Sequence, residues 1–307
     1  MNICRANNKN DALNGYLLAI IASITYGLNP LFAVPLYGMG LGVVSVLLYR
    51  YSGALILLGV IMSIRGISFK LRKDIVLPLV IAGLLFAFSS YALFESYKYM
   101  DVGIASTILY TTPFFVAIIM SSVFHKRISI SGIICIFCAL VGIGMISVKA
   151  DSSIQNPVGI GYVVLSALVY SVYMVLIKES SINSKDSISL TFYSVLVGIL
   201  FFMAIGFCSD DLQMLPMTVT AWSNVCGLAV FPTVVSIVAM TIAIKRIGPV
   251  PTSILEALEP VTGLIVGGLA FGELLTVTNV IGIIIVIISV SYFIVYNERK
   301  TVRQINR

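Results

Sequence analysis

Charge is what this sequence has least of. Asp, Glu, Lys and Arg together make up 10% of 307 residues, where soluble domains run near a quarter. Histidine occurs once, as His125, and tryptophan once. So little charge excludes a soluble globule, because 59% of the residues are hydrophobic and no single core could hide that much apolar surface from water. The net charge of +6 does not signal nucleic acid, since the basic residues are scattered between apolar runs and form no patch. Five cysteines at positions 4, 135, 138, 208 and 226 make no secreted disulfide framework. Cys135-x-x-Cys138 lies inside an apolar run, where the two thiols are helical neighbours and read as packing. Catalytic signatures are missing too. There is no His-Glu-x-x-His, no P-loop and no Gly-x-Ser-x-Gly elbow, and no Asp falls within an apolar run, so the chain is not expected to be an enzyme.

Long apolar runs fill the space that charge leaves. A helix needs about 20 such residues to cross the hydrocarbon core. The runs place spans at 14–35, 41–64, 75–98, 102–124 and 129–148, then at 158–177, 187–208, 221–244, 249–271 and 276–296. The first is too long for a signal peptide's apolar core, and Arg5 and Lys9 precede it. The fold class is therefore an all-α integral membrane protein of about ten transmembrane helices. Residues 1–13 form a short tail, 14–148 a first five-helix unit, 158–296 a second, and 297–307 a basic tail.

Charge also orients the map. With both termini cytoplasmic, only Lys98 and Lys149 of the 19 Lys and Arg fall in outer segments. Arg50 lies within a span, and all the rest are cytoplasmic. Asp210 and Asp211 sit in an outer loop. Such asymmetry supports both the count and the orientation and implies a multi-pass protein of the cytoplasmic membrane.

The two halves also align. Ser106-x6-Pro113 and Phe124 fall against Ser253-x6-Pro260 and Phe271, and Gly15 with Tyr26-Gly27 against Gly159 with Tyr170-Ser171. Five spans is an odd number, so the halves enter the membrane from opposite sides. That inverted repeat is an architecture on which many transporters are built.

Four ionisable residues lie inside spans: Arg50, Glu95, Glu256 and Glu259. Such groups are costly in lipid and mark functional sites by default. At about 1.5 Å per residue, Arg50 is about 13 Å from the outer end and the two glutamates are near the midplane. Glu256 and Glu259, three residues apart, share a helix face and repel if both ionise. Arg50 is expected to neutralise one of them, and one is expected to hold a proton for part of a cycle. The alternative is that Glu259 tethers the kink at Pro260 and Glu256 meets a structural partner. Glu95, close to the outer end, reads as a rim group. Pro30, Pro113 and Pro260 each kink a span and free backbone carbonyls, tolerable only against protein or a wet cavity. Asn29 adds polarity at one kink. Tyr26, Tyr110 and Tyr170 either line a cavity for amphipathic solutes or simply pack.

These residues resemble the drug/metabolite transporter superfamily, specifically its EamA-type members with two five-helix repeats. The likeness is carried by Ala105-Ser106-x6-Pro113-Phe114-Phe115, by Ser253-Ile254-Leu255-x-x-Leu258-Glu259-Pro260, by Gly272-Glu273 and Gly282, and by Arg50 in Tyr49-Arg50-Tyr51. It departs at His125-Lys126-Arg127, where the family often carries a glutamate. The resemblance implies a secondary transporter of small, amphipathic, amino-acid-like metabolites, often an exporter, with a midplane site built from spans 1, 3, 4, 6, 8 and 9. A channel is the rival reading. No cofactor is expected beyond a coupled proton. The partners expected are the small-molecule substrate and the lipid bilayer, with no nucleic acid, and a homodimer is left open.

Overall fold

The computed structural model describes residues 2–100, 105, 108–126, 129–147, 156–209, 212–271 and 276–305. Ser106, Arg127, Lys149, Asp210, Asp211, Gly272 and Glu273, singled out above, lie outside the described residues. All regular structure among the described residues is helical. Span 1 consists of α1 (Asn2–Tyr26) and α2 (Asn29–Gly38), span 2 is α3 (Val43–Ile64) and span 3 is α4 (Lys73–Ser96). Span 4 contains α5 (Thr112–Ser122) and span 5 is α6 (Ile130–Ser147). Spans 6 and 7 are α7 (Pro157–Glu179) and α8 (Ser187–Ser209). Span 8 runs through α9 (Val219–Leu228), a π-helical segment (Ala229–Val235) and α10 (Ser236–Ile247). Span 9 is α11 (Pro249–Leu255) with α12 (Leu258–Phe271), and span 10 is α13 (Val277–Ile305). Eight of these stretches are long and apolar enough to cross a membrane, and Thr112–Ser122 and Ile130–Met145 are shorter apolar helices.

The prolines act differently from simple kinks. The chain turns at Gly27-Leu28, Tyr110-Thr111 and Glu256-Ala257. Pro30, Pro113 and Pro260 then fall in the first turn of α2, α5 and α12. A proline costs nothing there, because the first N–H groups of a helix have no intrahelical partner. Spans 1, 4 and 9 are thus interrupted rather than bent.

The packing repeats across the two halves. Span 3 lies on span 6 through a hydroxyl clasp in which Ser89 Oγ and Ser166 Oγ are 3.0 Å apart and Ser166 Oγ donates to the Ser89 carbonyl at 2.8 Å. The counterpart pair, spans 8 and 1, is joined by Ser236 Oγ donating to the Ala22 carbonyl at 2.8 Å. Spans 5 and 10 pair with each other, and Ser289 Oγ donates to the Cys135 carbonyl at 2.8 Å. With lipid as solvent, helices gain little from burying apolar surface against one another, so small residues and interhelical hydrogen bonds supply the specificity. Gly142 is one such small residue: a Cβ there would lie 2.9 Å from both the Gly282 carbonyl oxygen and Val286 Cγ2.

At one end of the bundle, lysines close the connections by donating to backbone carbonyls. Lys178 donates to Lys245, Lys245 to Lys185, and Lys185 to Lys70 at 3.0 Å. Lys126 pairs with Glu179. These contacts gather basic residues of both halves at one end, the pattern that charge alone implies.

Gly142→Leu should force spans 5 and 10 apart. The expected cost is about 1–3 kcal/mol, read as a lower midpoint of thermal unfolding in detergent, and an unchanged midpoint would contradict the close approach.

Candidate functional site

The feature that organises the bundle interior starts with Pro232. A proline has no N–H, so the Leu228 carbonyl four residues earlier loses its helical donor. The Thr233 hydroxyl replaces it, donating to the Leu228 carbonyl at 2.7 Å, and the helix widens into the π segment Ala229–Val235. Widening of this kind is characteristic of functional positions. It leaves Thr233 Oγ1 able to accept and the Pro232 carbonyl turned outward. Arg50 on span 2 uses both. Its Nε donates to Thr233 Oγ1 at 2.6 Å and its Nη2 to the Pro232 carbonyl at 3.1 Å. Arg50 is 1% exposed. Its guanidinium carbon lies 5.5 Å from the Tyr26 ring centroid and 5.9 Å from that of Tyr51, two cation–π contacts that offset part of its desolvation. Its Nη1 is buried without a hydrogen-bond partner. None of the ion pairs formed among the described residues includes Arg50. The carbonyl and hydroxyl of span 8 hold the guanidinium, so Arg50 makes no contact ion pair with Glu256 or Glu259.

Beside Tyr26 lies a cavity of about 40 Å³. Its lining comes from Tyr26 on span 1, Phe86, Ser89, Ser90 and Leu93 on span 3, Leu109, Tyr110 and Thr112 on span 4, Tyr170 on span 6, Met240 on span 8, and Glu256, Glu259 and Pro260 on span 9, so polar groups are set in a largely apolar wall. These are the six spans that the resemblance implies. Glu256 is 8% exposed and accepts from the Tyr170 hydroxyl at 3.0 Å. Tyr170 stacks on Tyr173 with centroids 5.8 Å apart. Tyr110 donates to the Ile254 carbonyl at 2.8 Å, which ties the break in span 4 to the break in span 9. Span 1 joins them at Gly27, where a Cβ would stand 2.6 Å from the Glu259 carbonyl oxygen and 2.6 Å from Thr262 Cβ. Three helix interruptions thus meet around one cavity, and two carboxyl groups line it.

Not every expected residue joins them. Asn29 does not line the cavity, and its Oδ1 is buried without a hydrogen-bond partner. Glu95 forms an ion pair with Lys98 at 2.9 Å near the end of span 3 and does not line the cavity. Sequence reading missed Thr233 and Pro232, whose only signal was one more proline in an apolar run. It also missed Ser89 and Ser166, whose signal was serine recurring opposite serine in spans 3 and 6.

A multi-pass helical bundle with interrupted helices meeting at a buried cavity that holds carboxyl groups is the construction of a membrane transporter. Comparison with known proteins sharpens the class. The model of the EamA-like transporter family matches residues 13–148 and again 157–295, and the chain belongs to that family. Two proteins of Archaeoglobus fulgidus, each called an uncharacterized transporter, are similar to it. One is 28% identical over 59% of this chain and 63% of its own length, and the other 25% identical over 73% and 79%. The chain thus spans under two thirds of the first relative. A solved crystal structure superposes with a TM-score of 0.77 at 14% identity, over 90% of this chain and 96% of that one, a likeness of fold.

The Arg50 anchor makes a stability prediction. Thr233→Val should cost about 1 kcal/mol, and Arg50→Lys should cost more, because an ammonium cannot reproduce the fork that spans the hydroxyl and the carbonyl. The double variant should fall short of the sum of the two in a thermal unfolding cycle. Strict additivity would show that the two side chains do not act together.

Proposed function

We propose that this chain is a secondary carrier that exports small, amphipathic, amino-acid-like metabolites across the cytoplasmic membrane by alternating access. Both termini then lie in the cytoplasm, a reading that the distribution of Lys and Arg supports. The observation that carries the reading is the cavity itself. It is small and lined from both halves, with Glu256 and Glu259 three residues apart and, among the described residues, no cation within ion-pair distance of either. A narrow cavity between two pseudo-symmetric halves is what an alternating-access cycle passes through, and its lining must part for a solute to enter.

The two carboxyl groups supply the coupling. Held three residues apart with no ion-paired cation among the described residues, they do not both carry charge throughout a cycle. One binds a proton while the cavity is empty and releases it when a cationic group of the solute arrives. Tyr170 positions Glu256 by donating to it. Glu259, beside the Gly27 contact, lies where spans 1 and 9 move against each other. Tyr26 and Tyr110 present ring faces and hydroxyls that orient an amphipathic solute.

Purified protein in liposomes, screened for counterflow of amino acids, amines, nucleosides and sugars with and without a pH gradient, tests the reading. Saturable exchange of one class, stimulated by the gradient, is the expected result. A non-saturating conductance would instead mark a channel. Glu256→Gln and Glu259→Gln should each lower gradient-driven flux at least tenfold and flatten its pH dependence. Flux with the pH dependence intact in both variants would sink the proton-carrier role.

A further inference from the structure

A buried guanidinium ordinarily meets a carboxylate. Arg50, at 1% exposure, meets none among the ion pairs of the described residues. Span 8 holds its Nε and Nη2, and Nη1 is buried without a hydrogen-bond partner. Of the buried side-chain groups without a partner among the described residues, Arg50 alone carries a full charge. Its unmet charge and its unmet N–H call for the same thing, an anionic oxygen. A second unused donor is near. The Tyr37 hydroxyl, close to the end of α2, is buried without a partner and lies within electrostatic reach of Arg50. Buried polar groups nearly always find partners, so two unused donors around one cation are a site awaiting an acceptor.

Tyr26 joins these donors to the cavity. Its ring lies against the guanidinium, and it lines the cavity together with Glu256 and Glu259. Its hydroxyl is within electrostatic reach of Arg50 and of both glutamates, yet it forms no hydrogen bond with Nη1. Tyr26 ends α1, directly before the turn at Gly27-Leu28, so it can swing without distorting a helix. We propose that Arg50 Nη1 and the Tyr37 hydroxyl bind the carboxylate of the transported solute when Tyr26 swings aside, while the solute's ammonium group meets Glu256 and Glu259. This rests on the transport reading above and narrows its substrate class to zwitterions. A carboxylate offers one oxygen to each donor. A zwitterion also brings an anion to the buried cation and a cation to the acid pair, adding no net charge to a site surrounded by lipid. An amine alone would leave Arg50 unpaired. Glu259 is the one other source of a carboxylate, since it too lies within electrostatic reach of Arg50, and the test separates the two.

The probes are pairs, each an L-amino acid and the amine that lacks its carboxylate: leucine and isoamylamine, phenylalanine and phenethylamine, serine and ethanolamine, lysine and cadaverine. Binding is titrated on the full chain in lipid nanodiscs, beside counterflow in liposomes. In the pair that binds best, the amino acid should bind about 10–100-fold more tightly than its amine. Arg50→Gln should collapse that preference. Because Arg50 also anchors span 8, Tyr37→Phe gives a second reading that leaves the anchor intact. It should shrink the preference by about 10-fold with no fall in the thermal midpoint, since the hydroxyl it removes has no partner. Equal binding of amino acid and amine by the unaltered protein overturns the proposal, as does binding of no amino acid. An equal loss for both probes in both variants marks a structural role and overturns it too. If the preference lost in Arg50→Gln returns in the Arg50→Gln, Glu259→Gln double variant, Nη1 answers to Glu259 and not to the solute, and the proposal falls. A carboxylate preference without flux of any solute would sink the transport reading alone, and flux indifferent to the carboxylate would sink the subsite alone.

Discussion

One buried cation sets the terms for the interior. Lipid cannot solvate a guanidinium, and Arg50, at 1% exposure, has no carboxylate at ion-pair distance among the described residues. What it has is a proline on another span. Pro232 removes one backbone donor, Thr233 fills the vacancy, and the resulting π turn exposes an acceptor pair that Arg50 spans. The chain of Arg50 Nε to Thr233 Oγ1 to the Leu228 carbonyl is a polarised series, each bond strengthening the next in a low dielectric. Span 2 belongs to the first half and span 8 to the second, so this anchor crosses the line along which the halves move in the proposed cycle. Tyr26 lies under the guanidinium and also lines the cavity. Whatever displaces Tyr26 is thereby felt by the anchor.

The same logic, a backbone group freed by a break and recaptured by a side chain, recurs at the interruption of span 9. Tyr110 captures the Ile254 carbonyl at the end of α11. In water such groups would be solvated, and the breaks would leave floppy ends. In lipid an unmet carbonyl costs several kcal/mol, so each break must be docked against a donor on a neighbour. The requirement pulls the interruptions of spans 1, 4 and 9 to a common place. The cavity results from that satisfaction of backbone groups, and it collects the carboxyl groups because Glu256 lies in the turn between α11 and α12 and Glu259 in the first turn of α12.

Much of the fold was legible because the signal is local. A run of about 20 apolar residues is a span whatever surrounds it, and the Lys and Arg between runs fix the count. The breaks were legible in part. Pro30, Pro113 and Pro260 announced them, but sequence alone reads a proline in an apolar run as a kink, and only the preceding turn makes it a first-turn residue. Partner identities were not legible. Nothing in Tyr49-Arg50-Tyr51 says that its acceptor is a carbonyl about 180 residues away, because a π turn leaves no periodicity to read. For the candidate site, Glu256, Glu259, Tyr26, Tyr110 and Tyr170 were singled out on polarity within apolar runs, and they meet at the cavity. Asn29 and Glu95 were singled out on the same ground and do not line it. Polarity in a span marks a group that needs a partner, and that partner is as often a neighbouring helix end as a solute.

That distinction also orders the polar residues by what they can do. Ser89, Ser166, Ser236 and Ser289 have their hydroxyls committed to neighbouring spans, and they hold the bundle together. Arg50 is committed through Nε and Nη2 and keeps Nη1 in reserve. Glu256 accepts one bond and has capacity left for more. Hydrogen-bonding capacity left over in a buried group is costly unless something arrives to use it. In this bundle the carboxyl groups line the cavity, while the committed hydroxyls of Ser166, Ser236 and Ser289 do not, and that of Ser89 stands at the edge between the two sets. A carrier needs that division, with fixed bonds where the halves are built and open ones where the solute binds.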